Sequence, residues 1–329
     1  MVNESPTRDA VHGRVVIVTP VFNDWSSLAR LLPEIDAALG SAGLVGRVMV
    51  VDDGSTLEMP AELSGRRYAN LEAALVKLRR NLGHQRAIAV GLSYLVTAGI
   101  DANAIVVMDG DGEDSPEDIP RLLAELSKAP GKHHVVFAAR AKRFEGPLFR
   151  AMYHLYRFVH WLLTGVAVRV GNFSALSPAA AQALCLHPDT WNHYAASVFR
   201  SRIPFSTVPL SRAERYAGAS HMRYSGLVAH GLSAIAVFSE VVGARLIVAF
   251  SAMVGLAIIL LAAVVAVRLF TPLGVPGWAT TAAGLLILFA MQAVLSILIL
   301  VLVVLGDRSQ AKVIPLRDAG LFIDSVKPL

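Results

Sequence analysis

The residues best suited to chemistry form an acidic run, residues 109–114 with the sequence DGDGED, directly after a short apolar stretch. In an extended segment alternate side chains point the same way, so Asp109, Asp111 and Glu113 are expected to face one point. Three carboxylates so close repel each other unless a cation lies between them. Hard oxygen ligands suit Mg²⁺ or Mn²⁺, usually shared with substrate phosphates. The run therefore predicts a divalent-metal site.

Two other interpretations of residues 109–114 differ in how well they fit. An EF-hand calcium loop needs Gly at its sixth position and Glu at its twelfth, but Asp114 and Pro120 occupy those positions, which excludes it. A solvated acidic turn that caps the next helix stays open, since acidic residues are common at helix N-termini. The position of the run at the end of a strand favours the metal site.

Short apolar strands alternate with helical segments in the first half of the chain. The predicted strands are residues 15–18, 48–51, 104–108 and 134–138, and the predicted helices are residues 28–39, 84–98 and 116–127. Asp24 or Ser26 is the candidate N-cap of the first helix. Continuous apolar strands that alternate with helices predict an α/β fold with a mostly parallel sheet covered on both faces.

Each predicted strand ends in polar or charged residues. These residues are Asn23 and Asp24, Asp52 and Asp53, Asp109 and Asp111, and Arg140. Ligands of such sheets bind outside the carboxyl ends of the strands. The coincidence predicts an active site at that edge of the sheet.

Two long uncharged spans near the end of the chain predict a transmembrane hairpin. Residues 246–267 carry no charge, and at 1.5 Å per residue they reach about 33 Å, against a hydrocarbon core of about 30 Å. Residues 279–305 form the second span. The connecting residues 268–277 are rich in Pro and Gly.

Charge sets the expected orientation of this hairpin. Only Arg268 lies in the connecting loop, whereas basic residues lie on both outer flanks, so both flanks are expected in the cytoplasm. No signal-peptide pattern precedes the first apolar run. The expected division is a cytoplasmic α/β domain over 1–235 that includes juxtamembrane helices near its end, a hairpin over 236–306 and a cytoplasmic tail over 307–329, in a multi-pass protein of the cell (inner) membrane.

An aromatic stretch over residues 144–165 has two interpretations of equal weight. Arg150, His154, Arg157 and His160 interrupt an otherwise apolar helical pattern. The stretch is either a core helix of the domain or an interfacial helix that lies on the bilayer with a cationic face.

Composition excludes several classes of protein. The net charge is +5, but no Lys/Arg run marks a nucleic-acid arm, so no nucleic-acid partner is expected and membrane surface or phosphorylated ligands fit better. Neither a GxGxxG fingerprint nor a Walker A motif is present, which argues against dehydrogenases and P-loop proteins. Cys185 is the only cysteine, so an intrachain disulfide is excluded.

Four segments in order, VVIVTPVFND, VVDDGS, RRNLGHQRAIAVGL and VVMDGDGEDSPED, resemble family 2 glycosyltransferases with a GT-A fold. The later segments AAR, GNFSAL and RYAGASHM, together with the hairpin, are similar to the polyprenyl-phosphate, dolichol-phosphate mannosyltransferase-like members. The resemblance covers nearly the whole chain. It implies a GT-A-type domain followed by a two-helix transmembrane hairpin.

The function that the resemblance implies is metal-dependent, inverting transfer of a sugar from a UDP- or GDP-sugar to a membrane lipid phosphate, polyprenyl phosphate. Two alternatives stay open: transfer to another lipid or to a hydroxyl acceptor, and a non-catalytic, donor-binding membrane module. The sequence leaves the oligomeric state open, a homo-oligomer included.

The resemblance also assigns roles to individual residues of this chain. Those that would hold the base and ribose are Pro20, Asn23, Asp24, Asp52 and Asp53. Those that would hold the metal on the donor diphosphate are Asp109, Asp111 and Glu113. Those that would contact the donor phosphates are Arg215, Ser220 and His221. The implied catalytic set is Asp111, Arg140, Arg150 and Asn172, in which the two arginines bind the acceptor phosphate.

Three positions depart from the family pattern. Glu113 replaces a usual Gln, which makes the metal site more anionic, and His221 replaces a usual Lys, which puts a fixed positive charge there in doubt. Asn172 stands where an Asp is common, and an amide cannot act as a base. A sugar hydroxyl normally needs a base, whereas a lipid phosphate is already ionised. The departure favours a phosphate acceptor, unless a base lies elsewhere, for instance at Asp114.

Overall fold

A computed structural model describes residues 14–140, 157–166, 170–211, 213, 215–216, 232–271 and 277–329. Its strands are β1 (Arg14–Val21), β2 (Val45–Asp52), β3 (Leu71–Leu78), β4 (Ala104–Val107), β5 (Val135–Arg140), β6 (Ser174–Leu176), β7 (Phe205–Leu210) and β8 (Ile323–Pro328). Its helices are α1 (Trp25–Ser41), α2 (His84–Thr97), α3 (Ile119–Leu126), α4 (residues 157–164), α5 (Pro178–Leu186), α6 (Tyr194–Arg200), α7 (residues 232–236), α8 (Ser239–Phe270), α9 (Trp278–Ser309) and α10 (Pro315–Asp318).

The strands form one mixed, mostly parallel sheet in the order β7-β5-β6-β4-β1-β2-β3-β8. β1 pairs in parallel with β2 on one side and with β4 on the other, with Val18 opposite both Met49 and Val107. The chain thus moves outward in one direction after β1 and returns to the other side for β4. In such sheets the crevice at this reversal, beyond the carboxyl ends of the strands, is where ligands bind.

The central strands are apolar throughout because helices cover both faces of the sheet. Val16 and Val18 of β1 pack on the face that carries α2 and α5, and Val15 and Ile17 pack on the face that carries α1 and α3. Successive residues of a strand point to opposite faces, so burial on both faces requires an unbroken apolar run. The four predicted strands and the α/β fold class are confirmed.

Helix α1 begins at a polar cap, as the sequence predicts. Asp24 caps α1 by accepting a hydrogen bond from the backbone N–H of Ser27 at 3.3 Å, which decides between the two candidate caps. α2 matches the predicted helix over 84–98. The predicted helix over 116–127 is divided into a 3₁₀ turn, Pro116–Asp118, and α3.

The chain returns to the sheet at its C-terminal end. β8 pairs antiparallel with β3, and the buried Leu329 donates its backbone N–H to the carbonyl oxygen of Ala73 at 2.9 Å. Phe322 accepts a hydrogen bond from the backbone N–H of Arg79 at 2.9 Å, and its ring centroid lies 5.0 Å from that of Trp191. The sequence predicts only a tail here, whereas residues 312–329 cluster with the sheet in one compact unit.

The second compact unit contains Leu155–Val166 and Phe238–Ala311. Its helices α8 and α9 run antiparallel, since Gly243 near the start of α8 lies against Val304 near the end of α9. Both are long and apolar enough to cross a membrane, and few of their apolar residues are fully buried. They extend beyond the predicted spans 246–267 and 279–305 because helical structure continues into the charged flanking residues.

Helix α4 belongs to the same unit and presents apolar rings on its surface. Phe158 is 56% exposed and Trp161 is 52% exposed, whereas His160 is buried. Arg245 of α8 donates a hydrogen bond to the carbonyl oxygen of Leu162 at 2.7 Å, which satisfies a carbonyl in the last turn of α4. Residues 144–156 of the predicted stretch lie outside the described part of the chain; over residues 157–165 the exposed aromatic face favours the interfacial interpretation over the core interpretation.

Candidate active site

The acidic run after β4 forms a tight turn and not an extended segment. Gly112 has a φ of +86°, in the left-handed region that favours glycine, and the backbone N–H of Glu113 donates to Oδ1 of Asp111 at 3.1 Å. Asp114 is buried and its Oδ2 accepts from the backbone N–H of Asp109 at 2.9 Å, which closes the turn. A role for Asp114 as a base is therefore disfavoured, because its carboxylate braces the loop.

Because the run turns at Gly112, alternate side chains do not share one direction. No group of three His, Cys, Asp or Glu side chains suited to a cation occurs within the described part of the chain. The expectation that Asp109, Asp111 and Glu113 face one point is thus not met in this conformation. Asp109 and Asp111 each interact instead with a basic side chain.

Asp109 lies in a polar network that joins the end of β4 to α2 and to Asn172, two residues before β6. Its Oδ1 lies 3.1 Å from Nε2 of His84 and 3.4 Å from Nδ2 of Asn172. Nδ2 of Asn172 is also 2.9 Å from Nε2 of His84. Oδ1 of Asn172 accepts a hydrogen bond from Nε2 of Gln85 at 3.1 Å. Gln85 in turn accepts from the backbone N–H of Tyr194 at 2.8 Å. The network fixes the position of the Asn172 amide beside Asp109.

Burial and acidic neighbours have opposite effects on the pKa of His84. Burial disfavours the imidazolium, but the carboxylates of Asp109, Asp111 and Asp53 outweigh it and raise the pKa of His84. His84 is the first residue of α2, after Gly83, so the positive end of the helix dipole also lies at this edge. The carboxylates of Asp109 and Asp53 thus lie beside the N-terminal end of α2, whose dipole favours negative charge.

Asp111 forms an ion pair with Arg215, whose Nη2 lies 2.9 Å from Oδ2 of Asp111. Both side chains are largely buried, so solvent screens this pair less than a surface pair. Backbone hydrogen bonds hold the segment that carries Arg215 against the acidic loop. The N–H of Ala213 donates to the carbonyl oxygen of Glu113 at 3.2 Å, and the N–H of Tyr216 donates to the carbonyl oxygen of Asp111 at 3.1 Å. The structure thus joins Arg215 to Asp111, two residues that the sequence places in one site.

The predicted nucleotide-binding residues lie at the carboxyl ends of β1 and β2. Asn23 has a φ of +54°, and its Oδ1 accepts from the backbone N–H groups of Thr56 and Leu57, both at 2.9 Å. Asp52 accepts from the backbone N–H of Ser55 at 2.8 Å. These hydrogen bonds hold the loop after β2 against the start of α1. Pro20 is buried at the end of β1.

Asp53 fixes a second loop at the same edge. Its two carboxylate oxygens accept from the backbone N–H groups of Leu82 and Gly83, at 2.7 and 2.9 Å. Burial raises the pKa of Asp53, and these two donors partly offset the shift. Gly54 is required between the two loops, because a Cβ there would lie 2.5 Å from the backbone of Arg80. Asp53 thereby sets the position of the α2 N-terminus, where His84 stands.

Some predicted residues lie outside the described part of the chain. Arg150, Ser220 and His221 are among them, and of Arg140 only the backbone is described, at the end of β5 opposite Leu210. Two residues of the network, His84 and Gln85, were not among the predicted site residues. Their segment, RRNLGHQRAIAVGL, supports the family resemblance, but nothing in their local spacing indicates contact with Asn172.

The donor set fits a hard divalent cation in part. Asp109 and Asp111 offer carboxylate oxygens at one strand end, and Mg²⁺ is commonly held by one or two carboxylates plus substrate phosphates. Each of the two is already within about 3 Å of a basic side chain, Asp109 of His84 and Asp111 of Arg215. Two carboxylates plus a diphosphate would complete such a site without Glu113.

The chain is similar to curated bacterial proteins along most of its length. It is 27% identical over 223 residues to the undecaprenyl-phosphate 4-deoxy-4-formamido-L-arabinose transferase of Salmonella paratyphi A, covering 65% of this chain and 64% of that protein. The protein of the same name from Salmonella newport is 26% identical over 223 residues, with the same coverage. The chain thus spans somewhat less than two thirds of the length of these relatives.

A solved structure with a similar fold is glucosyl-3-phosphoglycerate synthase from Mycobacterium tuberculosis, in complex with Mn²⁺, UDP-glucose and phosphoglyceric acid. It is 19% identical, with a TM-score of 0.49, over 70% of this chain and 80% of that one. This likeness is too low to bear on the ligands of the present chain. The family model described as glycosyl transferase family 2 matches residues 16–184, more than half of the chain, and the chain belongs to that family.

Proposed function

We propose that this protein transfers a sugar from a nucleotide-sugar donor to a membrane lipid phosphate, with polyprenyl phosphate as the acceptor. The observation that carries the proposal is the placement of Asp109 and Asp111 beside Arg215 and His84, at the end of β4 in a family 2 sheet. The names of the curated relatives, which are undecaprenyl-phosphate sugar transferases, support the acceptor.

The donor diphosphate would lie between the carboxylates and the positive groups of this edge. Asp109 and Asp111 would hold Mg²⁺ or Mn²⁺, which neutralises charge on the leaving diphosphate when bound. Arg215 offers a planar guanidinium that suits phosphate oxygens. The base and ribose would lie along the loops that Asn23 and Asp52 hold.

The reaction would be a single displacement at the anomeric carbon. An oxygen of the acceptor phosphate forms the new bond to that carbon, while the bond to the donor's β-phosphate oxygen breaks and the nucleoside diphosphate departs. The electron pair of the broken bond stays on the diphosphate. The configuration at the anomeric carbon inverts, because attack comes from the opposite face.

A phosphate acceptor accounts for the amide at position 172. No proton has to be removed from an ionised phosphate, so the site needs orientation and positive charge more than a base. Asn172 is buried and committed to Gln85, His84 and Asp109, which fits a positioning role. Arg140 and Arg150 are proposed to hold the acceptor phosphate.

A lipid acceptor requires the site to work at a membrane. Helices α8 and α9 would anchor the protein, and the exposed rings of α4 would enter the headgroup region. Residues 14–140, which precede the two helices, and residues 312–329, which follow them, share one compact unit. The two helices would therefore cross the membrane in opposite directions and return the chain to the side from which it entered. We propose the cytoplasmic side of the cell (inner) membrane.

A glycolipid assay tests this proposal. Membranes that contain the full chain would be incubated with labelled UDP- and GDP-sugars, undecaprenyl phosphate and Mn²⁺ or Mg²⁺, followed by extraction with organic solvent. We expect label in the organic phase with one donor and its loss in EDTA. A product formed on a hydroxyl lipid and not on the phosphate would replace the proposed acceptor, and equal product in EDTA would exclude the metal.

A further inference from the structure

Tyr216 lies between the acidic loop and the outer surface of α1. Its ring rests directly on Gly112, where a Cβ would come within 2.4 Å of the ring carbons. The guanidinium carbon of Arg30 lies 4.6 Å from the ring centroid. The ring thus contacts both a glycine of the acidic loop and a cation of α1.

Two polar contacts complete this arrangement. Nη1 of Arg30 donates to the carbonyl oxygen of Tyr216 at 3.1 Å, and the phenol donates a short hydrogen bond to the carboxylate of Glu34. Arg30 and Glu34 are four residues apart, so they lie on the same face of α1. Burial and the Glu34 carboxylate raise the pKa of Tyr216, so its phenol remains a donor. The ring, the hydroxyl and the main chain of Tyr216 each have a partner.

The residue before this tyrosine is Arg215, which forms the ion pair with Asp111. A guanidinium on a freely moving segment would lose conformational freedom whenever it bound an anion, and a preorganised one avoids that loss. Arg30 and Glu34 of α1 hold Tyr216 as a clamp, and this clamp supplies such preorganisation from outside the acidic loop. A plain packing role would not need an ion pair beside it.

We propose that Tyr216 is a positioning residue, which α1 holds through Arg30 and Glu34 so that Arg215 stays where it can meet the donor diphosphate. The inference rests on the proposed function, since the diphosphate is the group that Arg215 would bind. Tyr216 itself would not contact the donor. Its effect would pass through Arg215.

A double-mutant cycle tests this dependence. Binding of UDP and of GDP, each with Mn²⁺, would be measured by calorimetry on the detergent-solubilised full chain. The variants would be Arg215→Ala, Tyr216→Ala, the double variant, and the milder Tyr216→Phe and Glu34→Ala. Tyr68→Ala is the matched control, because Tyr68 also packs on the core with an arginine, Arg66, 5.7 Å from its ring.

We expect Arg215→Ala to weaken binding of the accepted nucleotide about tenfold or more, as for loss of a charge-assisted hydrogen bond. Tyr216→Ala should weaken binding nearly as much, and Tyr216→Phe and Glu34→Ala about threefold. In the Arg215→Ala background, Tyr216→Ala should add no further loss. Tyr68→Ala should bind as the unmodified chain does.

Each other outcome overturns a distinct claim. If the unmodified chain binds neither UDP nor GDP with Mn²⁺, the proposed function and the inference fall together. If it binds one of them and Tyr216→Ala binds equally well, only the positioning role falls. If the losses from Arg215→Ala and Tyr216→Ala add in full, Tyr216 acts independently of Arg215 and the clamp is wrong.

Discussion

Nδ2 of Asn172 lies 3.4 Å from Oδ1 of Asp109, so a neutral donor directly flanks the first carboxylate of the acidic loop. Oδ1 of Asn172 accepts a hydrogen bond from Gln85, and this contact fixes the amide with its Nδ2 donor toward Asp109. The arrangement gives Asp109 a hydrogen-bond donor at a place where a second carboxylate would repel it.

The first prediction concerns this amide. Asn172→Asp should lower sugar transfer about tenfold or more, because two facing carboxylates disfavour each other's charged forms. Initial rates of glycolipid formation would be compared with those of Asn172→Ala, which removes the donor without adding charge. A gain of activity in the Asp variant would indicate a missing base and a hydroxyl acceptor.

A second prediction separates ring contact from backbone strain at Gly112. Gly112→Ala should weaken donor binding about tenfold, much as Tyr216→Ala should, since its Cβ would displace the Tyr216 ring. Gly131→Ala is the matched control: it has a similar φ of +89°, with no atom within 4 Å of the added Cβ. The control should lose some thermal stability but keep donor affinity. Equal affinities in the two variants would contradict the contact.

The returning C-terminal segment yields a third prediction. Phe322→Ala should lower the free energy of unfolding of the sheet unit by about 1–3 kcal/mol, less than for a fully buried ring because Phe322 is only partly buried. Leu321→Ala, at a neighbouring side chain that is 72% exposed, should change it little. Thermal unfolding in detergent, followed by circular dichroism, compares the two. Equal melting temperatures would show that the segment contributes no packing energy.

A fourth prediction tests the proposed contact of helix α4 with the membrane. The double variant Phe158→Ser and Trp161→Ser should slow transfer to undecaprenyl phosphate in vesicles, because it removes apolar area from the proposed interface. Donor binding in detergent should stay unchanged. Leu186→Ser replaces an apolar side chain of α5 with similar exposure, 55%, and serves as the control. If Leu186→Ser slowed transfer to undecaprenyl phosphate equally, the proposed membrane contact of α4 would be contradicted.

Strands β1, β2, β4 and β5 were predictable because burial on both faces of the sheet requires an unbroken apolar run. Strands β3, β6, β7 and β8 were not predicted; β3 lies inside the sheet, but Glu72 and Lys77 interrupt its apolar pattern. β7 contains Pro209 and alternates in exposure, and β8 carries Asp324 and Lys327 at the edge of the sheet. Pairing of β8 with β3 joins residues separated by the whole hairpin, which no local pattern encodes. The short β6 separates β4 from β5, so β5 is not beside the parallel centre.

At the site, sequence predicted the residue types better than their geometry. Asp109 and Asp111 are at a strand end as expected, but the extended geometry was wrong because Gly112 turns the chain. His84 reaches Asp109 because α2 packs over β1 and β2, and β4 is the neighbour of β1 in the sheet. The contacts of Tyr216 with α1 likewise join segments far apart in sequence.

The most direct test of the central claim compares Asp111→Asn with Asp118→Asn in the glycolipid assay. Asp111→Asn keeps the shape of the side chain but removes the charge that would face the cation, and loss of several kcal/mol of electrostatic stabilisation should slow transfer about 100-fold or more. Asp118 forms an ion pair with the nearby Arg121, away from the acidic loop, so its variant should remain within about twofold of the unmodified rate. Full activity of Asp111→Asn, with or without added Mn²⁺, would contradict the proposed use of the acidic loop.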